Sequence, residues 1–326
     1  MYKTLRVKRT TLRAVLSTSR PMSQTPPAAV AHSKLGPLLC SLAMAIVGST
    51  VVASKIIGVH VEPFLATALR HAAALPIFLL IMWFTHTRWP RVRGRDAITL
   101  WVQAAAGSVG YTVLLIHGVN LSSAADAGIV AGTLPAMAAL FAALFLGEHP
   151  GPRLVASIIL ATAGVMAVAA APSTGLDTGT RLQGIALVLG AVACEAVFIL
   201  GNKRLANPLP ALAVSTLMSA GGLVLSLLPA LWLMPTAAST FTPPAIAGIL
   251  YYAWIPTVGG FLLWYAGSAR TSGGRASLAT VWLPISALLL SAVFLGESIR
   301  LWQWVGLGCV VLAMVLASTG GSKKDC

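Results

Sequence analysis

The sequence predicts an all-α integral membrane protein, with ten transmembrane helices arranged as two inverted five-helix repeats. Three observations predict it. Of 326 residues, 57% are hydrophobic and only 9% charged, against roughly 25% charged in soluble domains, and mean hydropathy is +0.85. Apolar runs of the length a bilayer requires, about 20 residues, recur about ten times. The chain also repeats itself at a shift of 149 residues. A soluble enzyme is excluded, and there is no ten-residue apolar/polar alternation of the kind outer-membrane barrels carry.

In the first half the apolar runs fall at 38–57, 64–84, 97–117, 122–146 and 152–171. In the second they fall at 182–202, 210–233, 245–265, 275–296 and 301–319. Each run ends in a short break of polar residues, glycine or proline. His86 to Asp96 closes the second, Pro172 to Arg181 the fifth and Pro235 to Pro244 the seventh. Loops this tight leave no room for a soluble domain. The organisation is therefore one membrane domain with repeats at 35–171 and 182–319, a basic tail at 1–34 and a short tail at 320–326.

Residues 1–34 carry seven basic residues (Lys3, Arg6, Lys8, Arg9, Arg13, Arg20 and Lys34) and no acidic one. The tail lacks the apolar core of a secretory signal. Its Arg and Ser/Thr content is similar to a mitochondrial presequence, but a disordered cytoplasmic tail is the plainer expectation. Translation from Met22, leaving residues 1–21 outside the native protein, is a third reading.

The net charge of +14 would suggest nucleic acid in a soluble domain. Here the basic residues cluster outside the apolar runs, where they act as topology signals, so no nucleic-acid partner is expected. With the N-terminus in the cytoplasm and ten spans, the inside segments beyond the tail hold eleven Lys and Arg residues. The outside segments hold Lys55, Arg181 and Arg300 only, and Arg70 lies within the second span. Both termini are expected in the cytoplasm. The four cysteines (Cys40, Cys194, Cys309 and Cys326) have no CxxC or metal spacing, so neither a disulfide framework nor a metal site is predicted.

At the 149-residue shift, GTLPAMAALFAALFLGE (132–148) overlays VWLPISALLLSAVFLGE (281–297) without a gap. Pro135 meets Pro284, Gly110 meets Gly259, Gly118 meets Gly267 and Glu148 meets Glu297. From 104 to 148, sixteen of 45 positions are identical. At a shift of 148, Lys55 meets Lys203. Five spans per half is an odd number, so the second copy enters the membrane in the opposite sense. Inverted repeats are the construction of many secondary transporters, because two similar bundles can rock about a central site.

GSTVVASK (48–55), Leu69-Arg70, the paired LP…FLGE segments and AVACEAVFILGNKRL (191–205) together resemble the EamA-type branch of the drug/metabolite transporter superfamily. The resemblance covers roughly residues 36–319. It implies a carrier of the bacterial inner membrane, in a family with many exporters of amino acids or other small metabolites. It brings no universal catalytic signature and no cofactor.

Ionisable groups at membrane depth are functional candidates. Glu195 sits near the middle of the sixth span, where it could bind a proton or pair with a substrate amine; a hydrogen-bonded packing role is the alternative. Arg70 matches the family's arginine in the second span and could present a forked donor to a carboxylate. Its alternatives are snorkelling or an ion pair with Glu62 or Asp126. His71 is expected on another face of the same helix, as a packing residue. His117 and Asp126 flank the third outside turn and are expected to be solvated, and Lys55 to anchor the first span at the interface.

Gln103 and Tyr111 in the third span, Trp254 in the eighth and Trp282 in the ninth are candidates for a cavity lining, where aromatics can stack on a ligand or meet an amine. Pro135 and Pro284 lie mid-span as candidate kinks or hinges. Glu148 and Glu297 each begin the turn into the next span, where a carboxylate complements a helix N-terminus; a symmetric proton site is the second reading.

The expectation is a secondary transporter of small organic metabolites, exporting across the bacterial inner membrane, with proton coupling resting on Glu195 alone. An integral-membrane transferase or lipid-processing enzyme is the alternative, but it would need a DDxxD, HxxxH or HExxH cluster, and none occurs. No GxxxxGK[ST] loop for nucleotide is present either. Oligomeric state is not readable.

Overall fold

The computed structural model describes residues 35–90, 92–147, 151–171, 177–205, 209–233, 239–271 and 273–319. Both tails and Glu148 lie outside them. Among the described residues the secondary structure is helical, with no strand. The first half holds α1 (Leu35–Gly58), α2 (Pro63–Thr85), α3 (Arg95–Gln103), α4 (Tyr111–Leu121), α5 (Ala124–Ala131), α6 (Leu134–Leu146) and α7 (Pro152–Ala170). The second holds α8 (Thr178–Arg204), α9 (Ala211–Leu233), α10 (Pro243–Tyr252), α11 (Phe261–Ser268), α12 (Gly273–Ala279), α13 (Trp282–Leu295) and α14 (Leu301–Thr319). A π-helical stretch, Ala104–Gly110, joins α3 to α4, and another, Ala253–Gly260, joins α10 to α11.

Nine helices among the described residues are long and apolar enough to cross a membrane. The predicted fourth span departs from expectation. It is the pair α5 and α6, bent by 44° at a break around Gly132 and Thr133. The two mid-span prolines each sit in the first turn of a helix, Pro135 just past this bend. Pro135 is the second residue of α6 and Pro284 the third of α13. There the missing N–H is no loss, because first-turn N–H groups lack an intrahelical acceptor anyway.

Local chemistry accounts for the other ends. Glu62 caps α2, accepting from the N–H groups of Phe64 (3.0 Å) and Leu65 (2.8 Å) ahead of Pro63. Asp177 caps α8 through Thr180 N. Gly147 and Gly296 both adopt φ +66°, closing α6 and α13 with left-handed caps whose N–H groups reach Ala142 O and Ser291 O. Only glycine adopts that conformation without strain, so the glycine of each FLGE is a helix stop.

The π-helical stretches, the α5/α6 and α12/α13 pairs and the two glycine caps all recur at the 149-residue shift. Packing recurs with them. α1 packs on α11 and α13, as α8 packs on α4 and α6, while α2 lies against α9 and α7 against α14. Each half thus inserts its first helix into the other half. α4 and α8 cross at Gly118 and Gly184. A Cβ at Gly118 would lie 2.8 Å from Gly184 O, and one at Gly184 2.7 Å from Gly118 O. The matching crossing of α1 and α11 uses Gly36 and Gly267. Small residues permit the backbone approach on which helix packing in lipid depends.

All eight residues of α5 are buried. Its side chains lie in the main apolar core with Val51, Leu115, Val188, Ala287 and Val310, from α1, α4, α8, α13 and α14. Replacing Gly184 with Val should force α4 and α8 apart and lower stability by about 1–3 kcal/mol, the usual cost of overpacking. Thermal unfolding of the detergent-solubilised protein measures this, and unchanged stability would mean that the crossing tolerates a wider spacing.

Candidate functional site

Two polar groupings lie within the helical body. The first centres on Arg70 of α2, 8% exposed. Its Nη2 donates to Thr112 Oγ1 (2.9 Å) and to Ser108 O (3.2 Å), and lies 2.9 Å from His71 Nε2. The guanidinium carbon stands 4.6 Å from the centre of the Tyr252 ring, a cation–π distance. Glu195 of α8 and Tyr111 of α4, both half-buried, lie within electrostatic range of Arg70. Among the described residues no carboxylate is within ion-pair distance of Arg70, and its Nε has no hydrogen-bond partner. Nor do the buried Thr50 Oγ1 of α1 and His71 Nδ1. A buried cation with a free N–H is the kind of group that structures pair with a ligand or water.

Neither sequence alternative for Arg70 holds as an ion pair. Glu62 is occupied in capping α2, and Asp126 pairs with Arg181. His71, expected on another face of the helix, instead meets Arg70 through its Nε2. Tyr111 and Glu195 join this grouping. Gln103 does not: it is fully buried between α3 and α8, donating to Phe198 O at 2.8 Å and packed against Gly201. Trp254 and Trp282 are 45% and 48% exposed, and Trp254 Nε1 donates to Ala73 O at 3.2 Å. Thr112 is the functional candidate that sequence reasoning did not select. Thr112 follows Ser108 by one helical turn, and that spacing was the available signal.

The second grouping lies at the ends of α1, α4, α5, α7 and α8, around a pocket of about 380 Å³. Asp126, expected to be solvated, is 1% exposed. It accepts from Arg181 Nε (2.8 Å) and Gln303 Nε2 (2.7 Å). Arg181 also donates to Ala171 O (2.6 Å) and Val168 O (2.7 Å), closing the C-terminal end of α7. Burial of Asp126 follows from its place in the first turn of a wholly buried helix, which no hydropathy pattern reveals. Lys55, at the end of α1, donates from its Nζ to Val119 O (2.8 Å) and Ser122 O (3.1 Å) at the end of α4, where a cation suits the helix C-terminus.

Glu297 does complement a helix N-terminus, but not that of the span that follows it. Oε1 accepts from Ala124 N and Oε2 from Ala125 N, both at 2.8 Å. It therefore caps α5, in the other half. His117 is exposed, as expected.

The description of the EamA-like transporter family matches the chain twice, at residues 34–170 and 182–319. The chain is 32% identical over 273 residues to the uncharacterized transporter YetK of Bacillus subtilis (strain 168), covering 82% of each protein. It is 29% identical to a probable terminal-alkyne amino-acid exporter of Streptantibioticus cattleyicolor, covering 72% of this chain and 78% of that one. A solved crystal structure shares the fold, with a TM-score of 0.59 over 86% of this chain and 96% of its own, at 20% identity.

Breaking a buried ion pair leaves one charge uncompensated, at about 3–5 kcal/mol. Asp126→Leu should cost about that much in stability, and Asp126→Leu/Arg181→Met should recover part of it. Chemical unfolding in detergent measures both. Equal stability of Asp126→Leu and the unaltered protein would show that the pair is not structural.

Proposed function

The chain belongs to the EamA-like transporter family, and we propose that it is a secondary transporter exporting small organic metabolites, of amino-acid type, across a bacterial cytoplasmic membrane. The two halves, 35–171 and 182–319, are inverted five-helix repeats that rock about the Arg70 grouping and open it to each side in turn. Recurrence of elements and packing at one fixed shift supports this reading, as does the odd number of spans in each half. The Lys/Arg distribution supports cytoplasmic termini. A relative whose name is that of an amino-acid exporter supports the cargo class and the direction.

One observation carries the site assignment. Arg70 is buried and, among the described residues, has no carboxylate partner and keeps a free N–H, with Glu195 in electrostatic range. A cargo carboxylate completes the arginine, and a cargo amine pairs with Glu195. When the amine leaves, a proton can take its place on the carboxylate, which couples export to proton entry. Thr112, Ser108 and His71 hold the guanidinium, and Tyr252 covers its face.

Transport by reconstituted protein tests these roles. Glu195→Gln should reduce transport and flatten its pH dependence while folded yield is kept. A pH profile identical to that of the unaltered protein would sink the proton role. Arg70→Lys keeps the charge but loses the planar fork. It should raise the half-saturating concentration of a carboxylate cargo about tenfold to a hundredfold, the range for a hydrogen bond to a charged group. An unchanged value would remove Arg70 from the site.

A further inference from the structure

The Glu297 contact is more than a helix cap, because of what it connects. α5 belongs to the first half, and Glu297 follows the glycine stop of α13 in the second. Six residues on, in the same α13–α14 segment, Gln303 reaches Asp126 in the first turn of α5. That segment therefore touches the N-terminal turn of α5 through three hydrogen bonds of 2.7–2.8 Å. The seat on the first half is firm. Lys55 holds the end of α4 just before α5, and Arg181 holds Asp126 together with the end of α7. The pocket of about 380 Å³ lies against these groups, with Ser122 and Ser123 on one wall and Glu297 and Ser298 on the other.

This face also carries the three basic residues that topology counting places outside, Lys55, Arg181 and Arg300, and all three line the pocket. The arrangement is one-sided. At the 149-residue shift Asp126 corresponds to Arg275 and Gln303 to Leu154, so the other half does not encode the same side-chain set.

We propose that the α13–α14 segment is a latch. Glu297 and Gln303 dock on the α5 N-terminus to close the outer face, and release of that contact opens it while Arg181 stays with Asp126. The latch rests on the alternating-access reading above. Release exposes the two N–H groups to water entering the pocket, which replaces the carboxylate as their acceptor, so the open state leaves no buried donor unpaired.

Ser122 is a suitable reporter, because it is buried and lines the pocket. Ser122→Cys is placed in a chain whose four native cysteines are replaced by alanine, and labelled in right-side-out membrane vesicles with a membrane-impermeant thiosulfonate. This readout needs no cargo, so it remains interpretable if the transport reading fails. Glu297→Gln should raise the labelling rate from the outer face roughly tenfold, the factor given by loss of one hydrogen bond to a charged group. From the cytoplasmic face of inverted vesicles the rate should not rise. An unchanged outer rate in folded Glu297→Gln overturns the latch. So does an equal rise from both faces, which would mean general loosening. If Glu297→Gln does not fold, Glu297→Asp keeps the charge with a shorter reach and should shift labelling in the same direction. A short bifunctional thiosulfonate bridging Ser123→Cys and Ser298→Cys should in addition stop transport until it is reduced. Transport that continues through the bridge overturns the proposal.

Discussion

A helix end buried in protein depends on neighbouring side chains to pair its first N–H groups, and the rest of this structure is arranged around one such end. α5 is eight residues long and entirely buried. A buried N–H group left unpaired costs several kcal/mol. The side chains that satisfy this helix come from elsewhere. Glu297 takes the N–H groups of Ala124 and Ala125, and Ser123 Oγ takes that of Asp126. Because the main acceptor arrives from the second half, the second repeat completes the backbone of the first at this point. The FLGE motif is the device that delivers it: glycine stops α13 with a positive φ, and glutamate follows at the point where the chain meets α5.

The scaffold is nearly symmetric and its polar lining is not. Tyr252 over the Arg70 guanidinium corresponds by the repeat to Gln103, which is buried against Phe198 and Gly201 instead. Thr112 corresponds to Phe261 at the 149-residue shift and Glu195 to Val47 at the 148-residue shift of the first spans, and neither shift gives Arg70 a basic counterpart. On the proposed reading, duplication supplies a pair of bundles that exchange orientations, and divergence within it leaves one arginine and one carboxylate to hold the cargo. One cargo site shared by two bundles, and not one site in each, is what alternating access requires.

Much of the fold was legible in the sequence because lipid imposes a coarse rule. Runs of about 20 apolar residues, loop lengths and the repeat all follow from it, and the family resemblance rested on motifs in the same order. The broken fourth span was not legible, because Gly132 and Thr133 break a run that hydropathy reads as continuous. Arg70 and Glu195 were found by the cost of ionisable groups at membrane depth and Tyr111 as a cavity-lining aromatic, and the structure brings the three within electrostatic range of one another. Asp126, Arg181 and Gln303 were missed as a set. Each looks like an ordinary loop or interface residue in one dimension, and their meeting depends on helices 55 and 177 residues apart.

The central claim, a carrier whose buried arginine and carboxylate receive the two ends of an amino-acid-type cargo, is tested most directly by uptake into proteoliposomes of the purified protein. A panel of amino acids, amines and nucleosides would be offered with and without an imposed pH gradient. The account predicts saturable uptake of amino acids, stimulated by the gradient, with amines lacking a carboxylate competing poorly. Saturable uptake of nucleosides or of simple amines alone, or no uptake of any class by folded and inserted protein, would contradict it.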